Sequence, residues 1–458
     1  MRKLRIFIFF YSLMLLCVGV ARAGDAGPAK YFDMREILDE STLNTEIAKD
    51  RVVPSSARPG KKVRVIELNF TSQNWKGMVW KHPARIYVPD GYKGGGNAGI
   101  IGTARSFFED PASVQLTIPG TQLRTEEQYA EATAIDLGLP IMIFSNPAEN
   151  YMGMDESDLT GYSLKKVFET GDFSWYGYIA ITKGYLRAIT LMHSLHGVQT
   201  ERAVIMGCSK RGMAVSLATG VDPDRVAGIM STCYTGGNFL YGIARQFAEF
   251  GPDVRGPDQE RTGPGFQPAE KLLGMLNNPV GLQLIAQFDP YMWRNKIKAR
   301  YLVGMGTNDE FFALGAPNSM LKEMSGDRAF LAIDNQRHSW VSQKYLAAWR
   351  MWLAHTFLQR KIAKIDAKGV IDADRLVVSA QVGLEAQPMA VRLFYAYKKT
   401  TEDWRAAQWQ STAMTPRKDG YSAHLQRKKG QSLGYYVEVE DTGPGGTGYI
   451  SSLMESVD

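Results

Sequence analysis

Gly207-Cys208-Ser209-Lys210-Arg211-Gly212 follows a short apolar run at residues 203–206 and precedes a stretch of small residues. A strand, a sharp turn and a helix look like this in sequence when the turn carries an exposed nucleophile. A serine at such a tip keeps its hydroxyl outside the packed core. The first backbone N–H groups of the following helix lack intrahelical partners and can face a developing oxyanion. The hexapeptide therefore predicts a serine nucleophile at Ser209, with the Lys210 N–H as one oxyanion donor.

On a sheet of this kind the acid and the histidine follow the nucleophile in chain order, each on a loop after a later strand. Asp309 lies in Gly306-Thr307-Asn308-Asp309-Glu310-Phe311-Phe312, after the apolar run at 301–303, where a buried parallel strand would end. His338 follows a second such run at 329–333, and of the six histidines it alone comes after both the acid and a predicted parallel strand. His193 and His196 fall on a helix ahead of the elbow and His82 on an early strand, as framework residues, while His355 and His424 have no acid or serine context. Glu310 offers an alternative acid; its neighbour Asp309, directly after Gly306-Thr307-Asn308, is preferred. An imidazole accepts the serine proton, and a buried carboxylate fixes its tautomer and stabilises the imidazolium.

The elbow departs from GxSxG, because Arg211 stands where the second glycine belongs and glycine comes only at Gly212. Glycine there relieves crowding between helix and strand. Arg211 is thus expected to point outward to the substrate pocket, clamping a substrate carboxylate or assisting the oxyanion. The alternative is that Lys210 and Arg211 are solvated helix-start residues. A second oxyanion donor is expected from the loop at Thr103 to Arg105. Cys208 and Cys233 fall near the ends of adjacent strands, either as a disulfide bracing the elbow or as two unpaired buried thiols.

With its wider context the chain resembles the PhoPQ-activated pathogenicity-related protein family, a group of secreted α/β-hydrolase-like proteins. The resemblance runs through Asn74-Trp75, Trp80-Lys81-His82, Thr170-Gly171-Asp172 with Trp175, the SKRG elbow and Asp289-Pro290-Tyr291 with Trp293-Arg294. It continues through Asn308 to Phe312, Asn335 with His338, and Asp403-Trp404-Arg405. It implies an α/β-hydrolase fold and an exported protein. Cys208 departs from the small residue expected there, and Gly102-Thr103-Ala104-Arg105 departs from a glycine-rich oxyanion loop. The elbow also resembles that of glucuronoyl esterases, with a cysteine before the serine and a basic residue after it.

The N-terminus has a basic start, an apolar stretch at 6–20 and Ala21-Arg22-Ala23 before Gly24, which reads as a cleavable signal peptide over residues 1–23. The expected protein is secreted or periplasmic, without a stable membrane anchor after cleavage. Residues 24–60 read as an arm and linker, 61–362 as the α/β-hydrolase domain with a cap insertion at 236–298, and 363–458 as a small all-β sandwich. Cap aromatics such as Phe239, Tyr241, Phe247, Phe250 and Tyr291 are expected mostly to pack the cap onto the core, and Trp404 and Trp409 to be buried in the sandwich.

With 458 residues, 45% of them hydrophobic, the chain can bury a large core. The formal charge of +6 falls to +2 without Arg2, Lys3, Arg5 and Arg22 of the leader, so no nucleic-acid footprint follows. No metal-spaced cluster or cofactor motif stands out, so none is expected, and the partner is a small-molecule or peptide substrate. The sequence thus predicts an exported serine hydrolase cleaving an ester or amide. Two alternatives stand beside it: a non-catalytic binding or signalling protein on the same scaffold, and a peptidase of the prolyl oligopeptidase type.

Overall fold

The computed structural model describes residues 27–103, 126–147, 153–154, 156–250, 269–383, 388–399 and 401–458. The predicted signal peptide and Arg105 lie outside the described residues. At the centre are six parallel strands whose apolar runs are covered on both faces: β4 (Asn97–Thr103), β5 (Ile141–Ser145), β6 (Arg202–Cys208), β7 (Val226–Thr232), β8 (Arg300–Gly306) and β9 (Arg328–Ile333), in the order β5-β4-β6-β7-β8-β9. Alternation along β6 sends Ala203 and Ile205 to one core and Val204 and Met206 to the other.

Helices α1 (Met34–Leu38), α4 (Gly177–Ser194) and α5 (Lys210–Val221) pack on the first face, and α2 (Glu126–Leu137) and α10 (Gln343–Phe357) on the second. Ile181, Tyr185, Ala188 and Met192 are buried along one stripe of α4, at the spacing that predicts its helix. The alternation of parallel strands and helices is the α/β-hydrolase fold.

The sheet does not stop at these strands. On one side β3 (Met78–Pro89) pairs antiparallel with β5, followed by β2 (Lys62–Trp75) and β1 (Glu46–Pro54). The edge strand therefore comes from the segment read in the sequence as arm and linker. Its almost wholly exposed residues, without apolar alternation, hide it from a period-based reading.

On the other side the chain's last strands extend the same sheet. β17 (Gly446–Ser451) pairs with β9 at Ser451 and Phe330, and β16 (Gln431–Gly443), β12 (Pro388–Lys399) and β13 (Gln410–Ala413) follow. A separate four-stranded antiparallel sheet, β10 (Ile365–Asp372), β11 (Arg375–Val382), β15 (Gly420–Gln426) and β14 (Thr415–Arg417), packs on it to complete the sandwich. Tyr435, Val437 and Val439 of β16 and Leu393 of β12 meet Leu376 and Val378 of β11 in the sandwich core, while Tyr436 faces the hydrolase core. One sandwich layer is thus an extension of the hydrolase sheet. Ahead of β13 the chain makes a short 3-10 turn at Trp404–Ala406, because the Asp403 carboxylate accepts the Arg405 N–H at 2.8 Å and bends the chain.

Between β7 and β8 lies the cap: α6 (Phe239–Phe250), α7 (Ala269–Leu276), α8 (Pro279–Phe288) and a 3-10 turn at Pro290–Lys296. Buried Asp289 ties its two ends together, accepting N–H bonds from Asn238 and Phe239 at 2.7 Å each and from Tyr291 at 3.0 Å. Burial pushes this carboxyl up to about 6 against the pull of those three donors. Among the cap aromatics, Tyr241 and Phe247 are exposed, against the packing expected of them.

Two polar joints hold the C-terminal strands to the hydrolase. Arg360 pairs with Asp441, both nearly inaccessible, and Lys344 of α10 reaches Glu438 of β16 at 2.7 Å and Asp334 at 2.8 Å. Removing one member of a buried pair leaves the other charge uncompensated. Asp441→Ala should therefore destabilise the protein by about 3 kcal/mol, read as a lowered midpoint of denaturant unfolding; a change under about 0.5 kcal/mol, the range of an ordinary surface substitution, would mean that this pair does not hold the joint.

Candidate active site

Ser209 follows the last residue of β6 with φ 57° and ψ −117°, a left-handed backbone that a non-glycine residue adopts only when its surroundings enforce it. The enforcement is visible. The Ser209 N–H is held by the Thr232 carbonyl of β7 at 2.9 Å, and its own carbonyl accepts the Met213 N–H at 3.1 Å. Gly207 is required because a Cβ there would lie 2.5 Å from the Arg211 carbonyl group and 2.7 Å from the Tyr185 hydroxyl.

The displaced second glycine has the same kind of explanation. A Cβ on Gly212 would lie 2.9 Å from the Thr232 carbonyl oxygen, so the close approach of helix to strand falls at 212, and 211 is released to carry a long side chain. That side chain does not stand free. Arg211 Nη1 donates to both oxygens of Glu156, at 2.7 and 2.6 Å, and Lys210 Nζ lies 4.0 Å from the same carboxylate. Glu156 begins α3 (Glu156–Thr170). Burial alone would raise its pKa, but Arg211 and then Lys210 outweigh it and hold the carboxyl below its ordinary value. Glu156 went unnoticed in the sequence, since nothing marks one acidic residue at a helix start as the partner of an arginine 55 positions away.

Asp309 and His338 leave β8 and β9, the next strands but one and but two from β6. The His338 Nδ1 and Asp309 Oδ2 are 2.8 Å apart, while Asp309 Oδ1 accepts the N–H groups of Phe311 at 2.9 Å and Phe312 at 3.0 Å. Glu310 plays a different part, taking the backbone N–H of His338 at 2.8 Å. The geometry thus puts Asp309, not Glu310, on the imidazole. Burial pulls the His338 pKa down, yet the Asp309 charge and hydrogen bond overcome it and leave it above its ordinary 6.5.

Cys208 and Cys233 are free thiols in hydrogen-bond contact. That contact lowers Cys208, against burial and with help from the His338 charge, and burial raises Cys233. The Cys233 sulfur and ring and carboxylate atoms of His338 and Asp309 lie within 4.8 Å of one another, so the loops after β7, β8 and β9 converge beside the elbow. Thr103 ends β4 with its hydroxyl donating to buried Glu126 at 2.6 Å; burial pushes that carboxyl up to about 7. The framework role expected of His82 is met by bonds to the Ser145 carbonyl and the Ser72 hydroxyl, and burial drops its pKa to about 4. His355, read as lacking an acid, meets Asp327 at 2.8 Å far along the chain.

The sequence gives no hint that the C-terminal strands reach this site. Asn308, beside Asp309, donates to the Arg405 carbonyl at 3.0 Å and the Ala407 carbonyl at 2.7 Å. Asn335, three residues before His338, exchanges two bonds with the Trp409 backbone, accepting its N–H at 2.8 Å and donating to its carbonyl at 3.0 Å. Trp404 and Trp409 are both buried behind these contacts.

A sequence profile described as PhoPQ-activated pathogenicity-related protein matches residues 53–405. Autocrine proliferation repressor protein A of Dictyostelium discoideum is 24% identical over 291 residues, covering 59% of this chain; the chain spans about half (55%) of that relative's length. Among solved structures, a glucuronoyl esterase from Solibacter usitatus aligns over 70% of this chain and 90% of its own, with 13% identity and a TM-score of 0.41. An acetyl xylan esterase from Thermoanaerobacterium aligns over 69% and 90%, with 14% identity and a TM-score of 0.37.

Asn335→Ala strands the Trp409 N–H and carbonyl together, so it should cost about 1–3 kcal/mol of stability, measured by denaturant unfolding; an unchanged midpoint would show that the His338 loop does not depend on this contact.

Proposed function

The chain belongs to the PhoPQ-activated pathogenicity-related protein family, and from that membership and the elbow geometry we propose that it is an exported serine hydrolase cleaving an ester or amide through an acyl-serine at Ser209. His338 Nε2 takes the Ser209 proton as the hydroxyl oxygen attacks the substrate carbonyl, and returns it to the leaving group as the tetrahedral adduct collapses. Asp309 holds Nδ1–H and stabilises the imidazolium. Water, deprotonated by the same imidazole, then attacks the acyl-serine and frees the acid. The Lys210 N–H at the start of α5 and the loop at Thr103 to Arg105 are the proposed oxyanion donors.

The observation that carries this reading is the 2.8 Å contact between His338 Nδ1 and a fully buried Asp309 carboxylate, on loops next to a serine held at positive φ. Among the described residues no helix is long and apolar enough to cross a membrane. A second reading, a secreted signalling protein on a hydrolase scaffold, has the name of the Dictyostelium relative in its favour.

Labelling by a fluorophosphonate probe separates the two. The wild-type protein should label and a Ser209→Ala variant of equal stability should not; failure of well-folded wild-type protein to label would put the signalling reading first. Panels of short esters and short peptides then distinguish esterase from peptidase.

The pH dependence is a further check. The general base works only as neutral imidazole, and Asp309 raises its pKa, so kcat/KM should climb with pH along a limb centred above 6.5. A limb centred below 6.5 would contradict the assignment of His338 as a base paired with ionised Asp309.

A further inference from the structure

Beside this site lies a cavity of about 210 Å³ whose walls are apolar and aromatic. It shares two walls with the chemistry. Met213 sits one turn into α5 and bonds back to the Ser209 carbonyl, and Phe312 follows the acid, its ring centroid 5.8 Å from that of His338. Phe239 and Gly242 of the cap helix α6 close it from above, and Tyr234, just beyond β7, forms a further wall with its ring edge-on to Phe312 at 5.8 Å.

Tyr234 is 93% buried by its 7% exposure, and among the described residues its hydroxyl has no hydrogen-bond partner. A buried hydroxyl left unpaired costs free energy that a bound polar group would return. The size of the cavity is informative too. A dry apolar cavity of about 150 Å³ is enough to hold benzene, so this one accepts a single ring with a short extension, and two separate rings would need about twice the benzene volume.

Resting on the assignment of Ser209 as nucleophile, we propose that this cavity binds the substrate's single aromatic ring, with the Tyr234 hydroxyl hydrogen-bonding a polar substituent on it. The preferred substrates are esters or amides in which one hydroxylated ring sits a few atoms from the scissile carbonyl. Ring and carbonyl can be joined through the acyl side or through the alcohol side, and the test contains both.

The wild-type protein is assayed on para-hydroxyphenylpropionate, phenylpropionate and hexanoate methyl esters, and on para-hydroxyphenethyl and hexyl acetates, with para-nitrophenyl acetate as the reference substrate. On one of the two sides, kcat/KM should favour the hydroxylated ring over the ringless chain by on the order of tenfold or more. Tyr234→Phe should erase the advantage of the hydroxylated over the plain ring. Gly242→Leu should lower the ratio of ring-ester to reference activity by a similar factor, since a Cβ at 242 meets nothing closer than 3.9 Å and the branch grows into the cavity.

A second measurement does not need turnover. The Ser209→Ala protein should bind methyl para-hydroxyphenylpropionate in calorimetry, and should lose that binding when Gly242→Leu is added. If para-nitrophenyl acetate is hydrolysed and Ser209 labels, but ring esters gain nothing on either side and no binding is seen, the cavity assignment is overturned while the hydrolase reading stands. If Ser209 neither labels nor turns over any ester, the hydrolase reading falls, and binding to Ser209→Ala decides whether the cavity still takes a ring.

Discussion

The parallel register of β6, β7, β8 and β9 is the constraint from which the site follows. Cys208 pairs with Thr232, Thr232 with Gly304, and Gly306 with Ile333, so the strands end nearly level. The chain must turn away at the same edge each time, and the turns bring Ser209, Cys233, Asp309 and His338 to one rim. The rim is then tightened by backbone bonds that cross between strands: Ser209 N–H to Thr232, Cys233 N–H to Gly304, and Thr307 N–H to Ile333. A one-residue slip in any of these ladders would turn the strand's side chains to the opposite face and move its loop by a residue. That is a costly slip in strands buried on both faces, so the chemistry is placed by core packing and not by the loops' own preferences.

Two of those loops still need outside support, because loops have few contacts of their own to fix them. The support comes from the far end of the chain. Backbone groups at 405–409 receive Asn308 and Asn335, and Arg405 lies over the Phe250 ring at the end of cap helix α6, 4.1 Å from its centroid. The same short segment thus touches the Asp309 loop, the His338 loop and the cap. It can do so because β16, β12 and β13 prolong the hydrolase sheet past β9 and carry the segment back over the rim. These C-terminal strands complete the framework in which the Asp309 and His338 loops are held.

What the sequence made legible follows from range. The parallel strands and α4 announce themselves through apolar runs and helical spacing, which are local properties, and the triad candidates are found by their order relative to those runs. Asp309 over Glu310 was readable from position alone, although only the structure separates their tasks, one on the imidazole and one on the backbone. What was not legible is long-range and polar. β1 carries no apolar alternation, Glu156 is an ordinary helix-start acid until Arg211 meets it, and the contact between Asn335 and Trp409 spans 74 residues. No periodicity encodes such pairings, because each is set by where two finished elements happen to meet.

The departure at the elbow joins these strands of argument. With glycine moved to 212, position 211 carries a cation beside Ser209, and α3 supplies the anion that matches it. Drawing Arg211 off to clamp a substrate carboxylate would break its two bonds to Glu156 and leave that half-buried carboxylate with only Lys210 at 4.0 Å and the Asn146 amide at 3.2 Å, a loss that the substrate would have to offset. Arg211 is therefore already engaged within the protein, and under the proposed function a neutral substrate would enter without breaking that pair. The next turns of α3 present Thr160, Gly161 and Leu164 to the cavity between elbow and cap. One helix thus both pairs with the Arg211 cation and lines an apolar space, and under the proposed function the two features would favour the same kind of substrate, an uncharged one held by apolar contact.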